Sequence, residues 1–142
     1  MLTDNHPGIT MASMDDEQDA KTLSFSADFL NAEPLLISEV AILFEHRLDT
    51  TDENFGDVFG KTYEYVAQFG RYKDKEVVEE IRKALLRFSD KLAPFEIVQL
   101  GNLCPETEDE AVSLIPSLKD KVDTIDLNEV LAELAKYRKF AN

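Results

Sequence analysis

The sequence predicts an all-α protein, a small helical bundle, and three observations carry that prediction. Apolar residues recur at helical spacing in successive segments: Ile37, Ala41, Phe44 and Leu48; then Phe55, Val58, Phe59, Thr62 and Val66; Val77, Ile81, Leu85 and Phe88; and Leu127, Val130, Leu131 and Leu134. Capping residues precede several of these runs, among them Asp74, Thr107 and Asp126. Pro94, Pro105 and Pro116 punctuate the rest where helices start or stop.

Residues 1–22 hold Pro7, Gly8, Ser13 and the run Asp15-Asp16-Glu17, with little to bury, and read as a disordered acidic tail. His6 near Asp4 could suggest metal binding, but a lone histidine in such a tail reads as solvated. Residues 23–50 read as a partner-docking unit. Leu23-Ser24-Phe25 alternates as a strand does, and Phe29-Leu30 follow closely. Nothing else in the chain reads as a strand, so this short one is expected to add an edge to a partner's sheet. Pro34 keeps Glu33 out of a helix, and Ser38 is the N-cap by residue type. Val40 and Leu43 widen the stripe behind it, so that this helix can touch two bodies. The candidate interface is Leu23, Phe25, Phe29, Leu35, Leu36, Ile37, Val40 and Phe44. His46 lies off the stripe between Glu45 and Arg47, lacks a convergent nucleophile, and reads as surface.

Residues 51–142 read as the helical bundle. Thr50 and Glu53 offer a capping box. The aromatic density of Phe55, Phe59, Tyr63, Tyr65 and Phe69 would suit base stacking, but its helical spacing favours core packing. Gly56 and Gly60, one turn apart, weaken an isolated helix, and close approach by another helix is the expected compensation. Gly70 is a stop. Around the Asp74 helix, Arg71, Lys73, Lys75, Arg82, Lys83, Arg87 and Lys91 alternate with Asp74, Glu76, Glu79, Glu80 and Asp90. That pattern is a salt-bridged, solvated face rather than an RNA contact. In Lys91–Leu118, Pro94 suits a first helical turn. Phe95, Ile97, Val98, Leu100 and Leu103 are too many for one stripe and predict burial on more than one side. Pro105 ends that helix, Thr107 and Glu110 form a capping box, and Pro116 stops the next helix. The resulting hairpin must dock on something else. Asp126 with Glu129 forms a further box, and Ile125 with Val130 a hydrophobic staple. Lys136, Arg138 and Lys139 suit the negative end of this last helix, in which the chain ends.

At 142 residues, 44% of them hydrophobic, the chain is one domain with room for a tail. A formal charge of −14 argues against a free-standing duplex binder, which needs a basic face to replace counterions. Cys104 is the single cysteine, which excludes an internal disulfide and a thiolate zinc cluster and leaves it a small buried hydrophobe. No apolar run reaches bilayer length. The N-terminus has neither the basic region nor the apolar core of a secretory signal, so an intracellular protein without a membrane partner is expected. No phosphate-cradling loop, metal-spaced cluster or nucleophile set is present, and no cofactor is expected.

Read as a motif, Phe95, Glu96, Leu100, Asn102, Leu103, Cys104, Pro105, Glu106 and Thr107, continued by Leu114, Ile115, Pro116 and Leu118, resembles the smaller stalk subunit of eukaryotic RNA polymerase II. The likeness runs from about Leu23 to the C-terminus and includes Leu127–Phe140, Ser38-Glu39-Val40 and Glu45-His46-Arg47. It implies a heterodimer with the OB-fold stalk subunit, docked on the polymerase II core near the RNA exit side. It implies further that the second half resembles the helical domain of helicase and RNase D C-terminal regions (HRDC-like). Nucleotidyl transfer would belong to the large subunits, leaving this one a non-catalytic part in initiation, in handling nascent RNA through the heterodimer and in factor recruitment. A nuclear location is implied, with passage to the cytoplasm and messenger RNA export and decay as further family associations. Two other readings stand beside it: a helical nucleic-acid-binding module, which the acidic balance counts against, and the equivalent stalk subunit of RNA polymerase III, which Asn102–Thr107 and Leu114–Leu118 fit less well.

Overall fold

Helices account for the regular structure in the computed structural model, which describes residues 19–50 and 54–141. They are α1 (Ala27–Asn31), α2 (Ile37–Thr50), α3 (Gly56–Phe69), α4 (Lys75–Leu86), α5 (Pro94–Leu103), α6 (Glu108–Leu114) and α7 (Leu127–Ala135), with 3₁₀ segments at Pro116–Lys121 and Arg138–Phe140. Among the described residues there is no sheet, only isolated antiparallel bridges at Asp19–Ser24 and Tyr72–Ala141. The tail before Asp19 and the Glu53 half of the expected Thr50 box lie outside the described residues.

The core forms where α4, α5 and α7 meet, around Ile81, Leu85, Leu100, Leu127, Val130 and Leu134. Burial of α5 on two sides explains its unstriped sequence: Ile97, Val98, Leu100 and Gly101 are all buried. Gly101 lets the neighbouring side chains come close: a Cβ there would stand 2.5 Å from Leu36 Cδ2 and 3.1 Å from Leu85 Cδ1, and those side chains would have to shift. The α2 and α3 helices pack on each other and share stacked rings, Phe44 on Phe59 at 4.5 Å and Phe55 on Phe59 at 4.2 Å. The expected boundary at residue 51 therefore falls between two helices that are partners.

Several caps stand where sequence placed them. Asp74 accepts from the Glu76 N–H at 2.9 Å and Asp126 from the Asn128 N–H at 3.0 Å. Thr107 Oγ1 accepts from the Glu110 N–H at 3.1 Å, while Glu110 reaches back one residue further than a capping box requires, to the Glu106 N–H. Ile125 and Val130 are buried together as the staple requires. Gly70 does follow the last residue of α3, because a Cβ there would lie 2.8 Å from the Val66 carbonyl oxygen and 3.3 Å from Ser38 Cα.

Other expectations are corrected. Leu23–Leu30 is not a strand in this chain: Leu23 turns at φ 58°, and Ser26 caps α1 by accepting from the Phe29 N–H at 3.3 Å. Two alternating positions are too few to outweigh a Ser N-cap. Ser38 does not cap α2; it lies in the first turn, buried, where its hydroxyl accepts from the Tyr72 N–H at 3.0 Å. Thr50 closes α2 and donates back to the His46 carbonyl at 2.8 Å instead of opening α3. Neither Gly56 nor Gly60 is approached by anything within 4 Å of a Cβ position; Gly56 instead supplies φ 78° at the start of α3. The chain leaves α7 for a 3₁₀ turn rather than ending in the helix.

Candidate partner-docking surface

The motif residues build a joint rather than a reactive centre. Glu96, at 0% exposure, accepts from the Ala93 N–H at 2.8 Å and from Ser117 Oγ at 2.6 Å, and pairs with Lys121 Nζ. One carboxylate thus closes the first turn of α5 and fastens the 3₁₀ segment to it. At the other end of α5, Asn102 Oδ1 accepts from the Ile37 N–H at 2.9 Å, so α5 caps α2. The reciprocal bond comes from Glu39, which accepts from the Leu36 N–H at 2.6 Å and holds Arg82, whose Nη2 also donates to the Pro34 carbonyl at 3.0 Å. Arg71 donates to the carbonyls of Asn102 and Leu103, both at 3.0 Å, covering acceptors that the end of α5 leaves open.

Cys104 adopts the left-handed conformation as the C-cap of α5, and Pro105 follows it, buried. Its thiol donates to the Gly101 carbonyl at 3.1 Å and lies 3.4 Å from Tyr72 Oη. It is half-buried and hydrogen-bonded, more than the inert hydrophobe expected. Burial, then this contact with Cys104, push the Tyr72 phenol well above its usual range. Thr107 caps α6, Ile115 is buried and Leu114 exposed, and Pro116 opens the 3₁₀ segment. Glu106 is exposed, 4.0 Å from Arg138.

The interface residues proposed from sequence fall in three places. Leu23, Phe25 and Phe29 gather over Phe95, with ring centroids 4.4 Å apart for Phe25–Phe29 and 5.0 Å for Phe25–Phe95. Leu30 beside them is 62% exposed. Leu35 lines a groove of about 250 Å³ between α2 and α4, with Ile42, Leu43 and Val78 as its apolar wall and Lys75 and Glu79 at its edge. Phe44 lies half-buried in the ring stack of α2 and α3, and Ile37 and Val40 are half-buried nearby. Leu36, at 2% exposure, packs in the chain's own core against Gly101 and is not surface.

The expected stripe of α3 is corrected at Val58, which is 81% exposed, and the flanking Tyr65 and Phe69 also point away from the core. Only Val66 of this helix is buried, so its apolar residues are too many for the one side that packs on α2. His46 is exposed, as read. Among the described residues, no three His, Cys, Asp or Glu side chains converge to hold a metal, and no helix is long and apolar enough to cross a membrane.

The arrangement defines a helical protein distinguished by exposed apolar surface, with its motif residues spent on holding helices together. The chain belongs to the RNA polymerase Rpb4 family, whose model matches residues 10–138. It is 40% identical over 154 aligned positions to the DNA-directed RNA polymerase II subunit rpb4 of Dictyostelium discoideum, spanning 94% of this chain and 97% of that one. It is 36% identical to DNA-directed RNA polymerase II subunit 4 of Arabidopsis thaliana (90% and 99% covered). Identity to the Schizosaccharomyces pombe rpb4 subunit is 38% (87% and 94% covered).

Proposed function

We propose that this chain is the smaller stalk subunit of RNA polymerase II, a non-catalytic part of the enzyme that works in the nucleus. It pairs with the OB-fold stalk subunit, and the pair docks on the polymerase core to act in initiation, in handling nascent RNA and in recruiting factors. The helical bundle of residues 51–142 includes its HRDC-like C-terminal part. Family membership supports the assignment to the polymerase, and the polymerase II names of the relatives favour that enzyme over polymerase III.

The single observation carrying the pairing is the apolar surface running from α1 to α2: Phe29, Leu30, Leu35 and Leu43 are all exposed. Exposed apolar surface of this kind, over Phe95 and again in the α2–α4 groove, marks an interface. The charge of −14 makes protein, not phosphate backbone, the fitting direct partner. Affinity purification of the tagged chain at mild salt tests the reading. The OB-fold subunit and the large polymerase subunits are the expected co-purifying chains. Recovery of RNA in a strongly salt-dependent way, without polymerase subunits, would favour the nucleic-acid-binding alternative instead.

A further inference from the structure

Residues 19–31 have a second feature that bears on docking. Phe25 and Phe29 are turned onto the chain's own Phe95, at 5.0 and 6.3 Å between centroids. Together with Pro34 and Pro94 these rings enclose a cavity of only about 50 Å³. The segment is fastened lightly. The five-residue α1 contains no buried residue, and its cap is a single Ser26 hydroxyl. The turn before it is held by the Asp19–Ser24 bridge and puts Leu23, a residue with a Cβ, at φ 58°, a conformation that non-glycine residues resist. An apolar cover with strained backbone and no buried anchor opens readily, by the same physics that makes low-stability segments the moving parts of proteins.

We infer that residues 19–31 are a self-closing clasp: in the free chain Phe25 and Phe29 cover Phe95, and the partner must win these rings from it. This rests on the docking role proposed above. The closed form shields part of the apolar surface that the unpaired subunit would otherwise present to itself. It also reduces the apparent affinity for the partner by the fraction of chains that are open. A clasp closed nine times in ten weakens apparent binding about tenfold.

The test opens the clasp without touching the rings that dock. Phe95→Ala removes the surface that α1 covers, and Ser26→Ala removes its cap. In the full chain alone, hydrogen exchange at the Phe29 and Leu30 amides should be slowed in the wild type and accelerate in both variants. Titrated with the OB-fold subunit, both should bind tighter than wild type, by about three- to tenfold, whereas Phe25→Ala should bind more weakly. Two independent variants guard against loss of fold, which circular dichroism reports separately. Unprotected amides in the wild type would overturn the clasp. Accelerated exchange with unchanged or weaker binding in both variants would overturn the competition while leaving the docking role intact. Absence of binding by every chain, with exchange accelerated in the variants, would defeat the docking role itself and the competition with it.

Discussion

Lys121→Met takes the counter-charge from a carboxylate that the fold has removed from water. Glu96 is fully buried, Ser117 is 5% exposed, and the Lys121 side chain retains 25% of its exposure. Removing one partner of a buried ion pair costs about 3–5 kcal/mol, because the other charge is left without its match. Partial exposure of Lys121 lets water substitute in some measure, which puts the expected loss near the lower end, about 3 kcal/mol. Glu96→Gln keeps the shape and an acceptor for the Ala93 N–H, and should cost about 1–3 kcal/mol. In the double variant the lone buried charge is gone. Its loss should lie close to that of Glu96→Gln alone and well below the sum of the two singles. Urea unfolding measures each difference as a midpoint shift at constant slope. Additivity of the two substitutions within about 0.5 kcal/mol would show that the groups act independently and refute the joint.

Asn102→Ala should cost about 0.5–2 kcal/mol through the lost cap on α2, with faster exchange at the Ile37 amide. Asn102→Asp keeps an acceptor and adds a charge favoured at a helix N-terminus, so equal losses from the two would place the effect elsewhere. Tyr72 ionises in the unfolded chain near the ordinary phenol value of 10.0 but only at higher pH when folded. Its contribution is thus fully present below pH 10.0 and is lost as pH rises beyond it, by up to about 1.4 kcal/mol per pH unit. Tyr72→Phe should flatten the alkaline limb of the stability profile by that slope, and an unchanged limb would refute the burial argument. Gly101→Ala, which forces a methyl onto Leu36 and Leu85, should destabilise by about 1–3 kcal/mol in the same unfolding assay.

Local signals were legible and distant ones were not. Asp74, Thr107 and Asp126 each cap a helix that begins beside them, so a few residues hold the whole argument. The true cap of α2 arrives from Asn102, 65 positions away, and no local pattern near Ser38 could show it. The same holds for Glu96, whose partners lie 21 and 25 positions later. Glycine was legible as punctuation at Gly70, yet Gly56 and Gly60 could equally meet a neighbour or open space, and they meet open space. Counting apolar residues picked out Phe29 and Leu35, which are exposed, and Phe25, which is half-buried. The count could not say that Leu36, adjacent in sequence, belongs to the core, because that depends on which side of α2 meets Gly101. Phe95 was legible as a motif residue, but its role as the seat of the clasp follows from Phe25 and Phe29 folding back on it.

The docking claim is tested most directly by titrating the OB-fold stalk subunit with the full chain and with chains lacking residues 1–22 or residues 1–30. Removal of 1–22 should leave affinity the same or modestly tighter, since it also removes Asp19 from the clasp. Removal of 1–30 takes away Leu23, Phe25, Phe29 and Leu30. It should weaken binding by several kcal/mol, at about 1.5–3 kcal/mol for each large apolar side chain that the partner buries. Equal affinity for all three chains would contradict the assignment of this segment to the interface.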